Sequence, residues 1–180
     1  MKLTRRRTAG LGLTLGLLIA TPFAVGTLLP RDHIAEGVRA LPIGADEVFW
    51  RAVDIDGWAE WRAAVDSITH IEGSNFEAIV HGLGESIRYG FELDVEQRTM
   101  TAEILSTGLP YGGRWTISVV ETGERASEVR VTEEGFVTPP VWRFVAHVII
   151  GTETSLSEYL DDLVAECAAG SCGSTASGAD

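Results

Sequence analysis

PPVWRFVAHVIIGTETSLSEYLDDLVAEC, residues 139–167, is the last apolar run of the chain, and its reading decides the fold. At about 100° per residue, Val141, Val145, Val148, Ile149, Leu156, Tyr159, Leu160, Leu163 and Cys167 gather within roughly a third of a helical circumference. Arg143, His147, Thr154, Glu158 and Asp161 fall on the opposite side. Pro139 and Pro140 suit a first helical turn, and Gly170 suits a C-terminal cap. Unbroken, such a helix would run ~43 Å at ~1.5 Å per residue. A helix of that length with an apolar stripe needs something to cover the stripe. Gly151 and Thr152 mark the expected kink or break.

What precedes the run reads almost entirely as strand. Residues 31–40 form a first strand, with Ile34, Glu36, Val38 and Ala40 on one side of its alternation. After the turn at Leu41-Pro42-Ile43-Gly44, residues 45–53 are predicted helical, with Asp46 and Glu47 near the positive N-terminus. Asp54-Ile55-Asp56-Gly57 ends that helix, and Trp58 to Arg62 makes a second short turn; Val48, Phe49, Ala52 and Trp61 are the expected buried contacts.

The period then switches to two. Strands are predicted at 64–71, 75–81, 85–93, 97–105, 113–121 and 127–137, most of them separated by Gly-, Asn- or Ser-rich turns. Short connections favour hairpins and hence an antiparallel meander. The apolar parity places Ile87, Tyr89, Phe91 and Leu93, then Met100, Ala102 and Ile104, then Trp115, Ile117 and Val119, then Val129 and Val131 on the inner face. The other parity is mostly Arg, Thr, Glu and Ser, so one face is wet and one dry. The fold class is α+β: one strand, two short helices, six strands and a long C-terminal helix over the dry face.

The chain has 180 residues and a net charge of −12. Lys2, Arg5, Arg6 and Arg7 carry +4, which leaves −16 on the remainder. So acidic a surface repels phosphate backbones and excludes nucleic acid as a partner. The basic start is followed by 21 uncharged residues, Ala9 to Leu29, enough to span ~31 Å as a helix. Residues 1–30 are expected to be a signal anchor holding the domain on the outer side of the cytoplasmic membrane. The alternative is a signal peptide cleaved after Ala24-Val25-Gly26 and a secreted domain. Residues 31–168 then form one domain, and residues 169–180, small and polar, a disordered tail.

Among polar residues Glu133 stands out, because it continues the inward parity of Val129 and Val131. A buried carboxylate there needs a donor, for which Arg130 and Arg143 are candidates; a bulge at Gly135 would instead leave Glu133 and Glu134 in solvent. His33, His70, His81 and His147 show no metal spacing, and no cofactor motif is present. His147 is expected on the solvent side of the helix and His81 at the surface beside a glycine-rich turn. Cys167 and Cys172 could form a disulfide only if the helix ends between them; one buried and one free thiol is the favoured expectation. Tyr89, Phe91, Met100 and Trp115, with Val145 and Ile149 of the helix stripe, could line a cavity for a small apolar ligand carrying one or two polar groups.

These segments together resemble the SRPBCC, or START-like, superfamily. The likeness rests on Ala45-Asp46-Glu47-Val48-Phe49-Trp50, on Asp54 through Trp61, on Gly112-Gly113-Arg114-Trp115-Thr116 and on Val131-Thr132-Glu133-Glu134-Gly135. It extends to Pro140, Trp142-Arg143-Phe144, Gly151 and Tyr159-Leu160, and so covers residues 31–167. Ile43-Gly44 departs from the proline-containing entry to the first helix common in that superfamily. The resemblance implies a helix-grip fold, a curved sheet of about seven strands wrapped around the C-terminal helix and enclosing an apolar pocket, and it implies a polyketide-cyclase-like or lipid-binding member in a membrane-anchored subgroup. It carries over no catalytic residue. The expected function is binding of a small hydrophobic molecule. The alternatives are a cyclase or aromatase using Glu133, and an envelope interaction module without a ligand. The sequence leaves the oligomeric state open.

Overall fold

The computed structural model describes residues 20–80, 86–151 and 153–173. Seven strands, β1 (Asp32–Leu41), β2 (Val65–His70), β3 (Asn75–Val80), β4 (Ser86–Asp94), β5 (Thr99–Ile104), β6 (Tyr111–Gly123) and β7 (Ala126–Val137), form one sheet. Their order is β1-β7-β6-β5-β4-β3-β2, and every neighbouring pair is antiparallel. β2 to β7 form the expected meander. β1 is added beside β7 because α1 (Ala45–Ala52) and α2 (Trp58–Trp61) carry the chain from one edge of the sheet to the other.

The predicted inward parity is the observed one, except that Leu93 at the end of β4 is 40% exposed. Ile87, Met100, Ala102, Ile117, Val119, Val129 and Val131 are buried. The inward side of β1 is the small-residue one: Ala35 is buried, and a Cβ on Gly37 would lie 2.6 Å from Cδ1 of Leu160. Glycine at 37 therefore lets the C-terminal helix approach the sheet. Ile34, of the opposite parity, is exposed.

The cover is not one helix. α3 (Pro140–Phe144) starts with Pro140 in its first turn, continues as a π-helix over Val145–Ile150, and ends at Gly151 with φ of 90°. α4 (Thr154–Ala168) begins anew, and its Leu156, Tyr159, Leu160, Leu163 and Cys167 are the buried stripe. The break predicted at Gly151 is present. A π turn takes in one residue more than an α turn, which rotates the presented face by about 100°. Val148 and Ile149, 55% and 67% exposed, consequently point out, and His147, expected outside, is half-buried.

Tyr159 anchors α4. Its hydroxyl donates to the Ala52 carbonyl at 2.9 Å, and the Trp58 indole donates to the same oxygen at 3.0 Å. These two bonds serve a carbonyl at the end of α1, where helix geometry provides no partner for it. Arg51 pairs with Asp54 at 2.8 Å and Glu166 at 2.5 Å, fastening α1 to α4.

The chain end corrects the sequence reading. Cys167 and Cys172 form a disulfide, with Cα atoms 4.7 Å apart. α4 ends at Ala168 and Gly170 turns with φ of 95°, which brings the second cysteine back. Ser171–Gly173 is a 3-10 turn, and Cys172 is 1% exposed, so the residues after 168 begin as folded structure. Residues 174–180, His81, Gly82-Leu83-Gly84 and Thr152 lie outside the described residues, as does the N-terminal segment up to residue 19. Residues 20–28 are helical, and no helix among the described residues is long and apolar enough to cross a membrane.

Two outcomes follow from this packing. Reducing the disulfide, or replacing it with C167A/C172A, is expected to cost about 2 kcal/mol and lower Tm by about 5 °C in thermal melts. Burial pushes the Tyr159 phenol well above its ordinary value. The folded state thus prefers the neutral phenol, and that contribution is complete below about pH 10, where unfolded tyrosine ionises, and fades as pH rises further. Tm should therefore fall steeply above about pH 10, and less steeply in Tyr159→Phe.

Candidate functional site in the grip of the sheet

One row across the sheet carries the site. Phe91 faces Ala102, Ala102 faces Trp115, Trp115 faces Glu133, and Glu133 faces Ala35. All five side chains share the inner face, since direct partners in an antiparallel ladder point the same way. The β6–β7 register runs unbroken through Trp115 and Gly113, with its irregularity far away at Glu121/Gly123. No bulge therefore turns Glu133 outward.

Glu133 is 19% exposed and accepts from three side chains. The Trp115 indole N–H donates to Oε2 at 2.9 Å, Ser155 Oγ donates to the same oxygen at 3.3 Å, and His33 Nε2 lies 3.1 Å from Oε1. Neither arginine proposed from sequence is a partner. Arg130 pairs on the outer face with Glu36 at 2.5 Å and Glu128 at 3.1 Å, and Arg143 donates to the Leu29 carbonyl at 3.0 Å. Glu134, of the opposite parity, pairs outside with Arg114 at 2.6 Å.

Gly135 makes room for His33: a Cβ there would lie 2.6 Å from the imidazole Cε1. His33 Nδ1 is buried without a partner, and the His147 ring meets His33 edge-on at 6.2 Å. One end of the grip is thus lined by a carboxylate, two imidazoles, an indole N–H and a hydroxyl. Among the described residues no group of His, Cys, Asp and Glu is arranged to hold a metal ion.

Beyond Trp115 the inner face is aromatic. Tyr159 sits at its centre, with ring centroids 5.7 Å from Trp61, 5.8 Å from Trp115 and 6.2 Å from Trp58. Tyr89 stacks on Phe76 at 5.2 Å, and Phe91 lies 6.0 Å from Phe76. The Arg62 guanidinium lies among these rings, its Cζ 4.4 Å from the Trp58 centroid and 4.8 Å from that of Tyr159. Burial raises the Tyr89 phenol to about 12, the nearby Arg62 charge opposing and the Tyr111 and Glu133 charges adding to the shift. Tyr89 is therefore a neutral hydroxyl at ordinary pH, able both to donate and to accept.

Of the residues read from sequence as lining, the structure brings together Tyr89, Phe91, Trp115 and Glu133. Met100 is sealed in the core, Val145 is half-buried on the π-helix, and Ile149 faces outward. His33, Arg62, Ser155 and Tyr159 join the site without having been singled out for it. His33 was legible, because it shares the parity of Ala35 and Gly37. Arg62 and Ser155 stand at the ends of helices, where no periodicity indicates direction.

A cleft of about 750 Å³ opens between the α1–α2 segment and β4. Trp50, Val53, Ile55, Phe91 and Leu93 give it an apolar lining, and Asp46, Glu47, Asp54 and Asp56 add carboxylates. Phe91 belongs to both the cleft and the row described above.

No known family model matches the sequence, and no curated protein matches it. Solved structures do match the architecture. The Zhui aromatase/cyclase from a Streptomyces species superposes with a TM-score of 0.67 at 15% identity, covering 76% of this chain and 94% of the other. Norcoclaurine synthase from Thalictrum flavum, in complex with dopamine and hydroxybenzaldehyde, gives 0.61 at 17% identity, covering 81% and 91%. A START superfamily protein from Mycobacterium smegmatis gives 0.58 at 13%, covering 75% and 99%. The chain therefore has the helix-grip fold that these solved structures share.

Proposed function

We propose that this protein binds a small hydrophobic molecule between the inner face of the sheet and α4, at the outer side of the cytoplasmic membrane. The observation that carries the ligand reading is the lining itself. Trp61, Tyr89, Phe91 and Trp115 face the interior and pack against the core, yet each is only partly buried. Large aromatic rings that close packing has not sealed, with a few convergent polar groups, are the usual composition of a small-molecule site. Glu133, His33, Ser155 and the Tyr89 hydroxyl are those groups. That norcoclaurine synthase, of the same fold, holds two small aromatic molecules supports the reading.

Three features support the membrane location. The uncharged run Ala9 to Leu29 follows a basic start. Its described end, residues 20–28, lies against α3, where a Cβ on Gly26 would run into the Pro140 carbonyl. Phe23 of that helix, and Val141, Trp142, Val148 and Ile149 of α3 and its π-helical continuation, are exposed, apolar side chains suited to lipid. The disulfide agrees with an oxidising compartment.

A second reading, a cyclase-type enzyme, is favoured by one observation: the carboxylate of Glu133 and the imidazole of His33 are paired on the inner face. Such a pair can move a proton to or from a bound substrate. Glu133→Gln separates the two readings, since it should leave apolar binding within about threefold if Glu133 only orients the ligand, but lower turnover by about 10²-fold or more if it transfers a proton.

Organic extraction of the purified full-length chain, followed by mass spectrometry, is expected to release an apolar small molecule. A chain that yields none, and binds no apolar probe, does not have this function. In cell fractionation the protein should stay with membranes after alkaline carbonate washing; a soluble mature chain beginning near Thr27 would refute the anchor.

A further inference from the structure

Arg62 is held in place by its backbone, and among the described residues its side chain has no hydrogen-bond or ion-pair partner. Its N–H donates to the Trp58 carbonyl at 2.9 Å, and its own carbonyl accepts from Val65 at 3.0 Å. The next amide, of Ala63, donates to Asp162 on α4 at 3.0 Å. Three hydrogen bonds around one residue fix the direction in which the side chain leaves, and that direction is inward. The guanidinium then lies 4.4, 4.8 and 5.7 Å from the ring centroids of Trp58, Tyr159 and Trp115.

The rings attract the cation but give its N–H groups no acceptor in the plane. Aromatic quadrupoles attract a guanidinium through its flat sides, whereas its N–H groups need acceptors in the plane. Nε is buried with no hydrogen-bond partner. Arg62 takes part in none of the ion pairs among the described residues, in contrast to Arg39, Arg51, Arg88, Arg98, Arg114 and Arg130. The carboxylate of Asp162 accepts from the Ala63 amide and forms no ion pair with the guanidinium, and burial lowers the affinity of Arg62 for its proton. A half-buried cation whose Nε finds no acceptor is a cost to the folded protein, of a kind retained where function needs it.

We propose that Arg62 receives the carboxylate of an apolar monoacid bound in the grip. The proposal rests on the apolar-ligand reading above and specifies its polar end. A planar guanidinium set among Trp58, Tyr159 and Trp115, with its Nε lacking an acceptor, can hold a carboxylate with two parallel hydrogen bonds. Trp115 fixes the orientation. Its ring faces Arg62 on one side, and its indole N–H is committed to Glu133. A negative head is attracted to the arginine and repelled by the glutamate, so the acid end lies at Arg62 and the uncharged end toward Glu133 and His33.

The test uses the full-length chain in lipid nanodiscs, titrated calorimetrically at neutral pH against empty nanodiscs. The probes are two pairs that differ only in the head group: 2-naphthoic acid with 2-naphthylmethanol, and octanoic acid with octan-1-ol. At least one acid should bind tighter than its alcohol by about tenfold or more, the increment of a charge-assisted hydrogen bond. In Arg62→Gln that preference should fall to within about twofold while alcohol binding persists, and Arg62→Lys, which keeps the charge but loses the fork, should lie between. Should Arg62→Gln fail to fold, the wild-type comparison and Arg62→Lys decide. If acids and alcohols bind alike, or if Arg62→Gln weakens both equally, the acid assignment falls and the apolar-ligand reading stands. If none of the four probes binds, both fall.

Discussion

The Ala52 carbonyl is the point on which the rest of the molecule depends. It stands at the end of α1, where a helix leaves its last carbonyls without partners, and it accepts from Trp58 and Tyr159 together. One oxygen thereby ties the short helices, the turn between them and the C-terminal helix into one unit. Tyr159 can reach it only because Gly37 lets α4 lie close over β1. Once Tyr159 is in place, the aromatic rings around it and the position of Arg62 are set. The disulfide and the pairing of Arg51 with Glu166 secure the same helix at its far end.

The two ends of the inner face differ in chemistry because the same strands run past different parts of the helix layer. Near α4's middle, ring meets ring, and Arg62 is the one charge set among Trp58, Trp115 and Tyr159. Near the start of α4 the row passes under Ser155 and the π-helix, and Glu133 and His33 find donors and acceptors there. Trp115 belongs to both ends: its face lies toward the cation and its edge toward the carboxylate. An apolar molecule placed along that indole would meet opposite charges at its two ends.

The break between α3 and α4 has a consequence on the outer surface. Had residues 139–167 formed one regular helix, Val148 and Ile149 would have joined the buried stripe. The π turn rotates them outward and His147 inward. The outward residues add exposed apolar side chains, and the inward histidine meets His33. A local change in hydrogen-bond spacing thus provides both the apolar outer face and part of the polar inner one.

Nearly all of the secondary structure was readable from residue patterns. The period of two in β4 to β7, the prolines before α3 and the glycine at 151 place elements within a few residues of where they lie, because these signals act through local backbone geometry. The inward position of Glu133 followed from parity alone, since alternation in an unbulged strand is strict. What it bonds to did not, because His33 lies 100 residues away in sequence and Ser155 on another layer. The disulfide, the outward turn of Ile149 and the site of Arg62 were likewise decided by tertiary structure. Each depends on where a helix ends or how one turn is wound, and those are settled by packing between segments far apart in the chain, which no local pattern records.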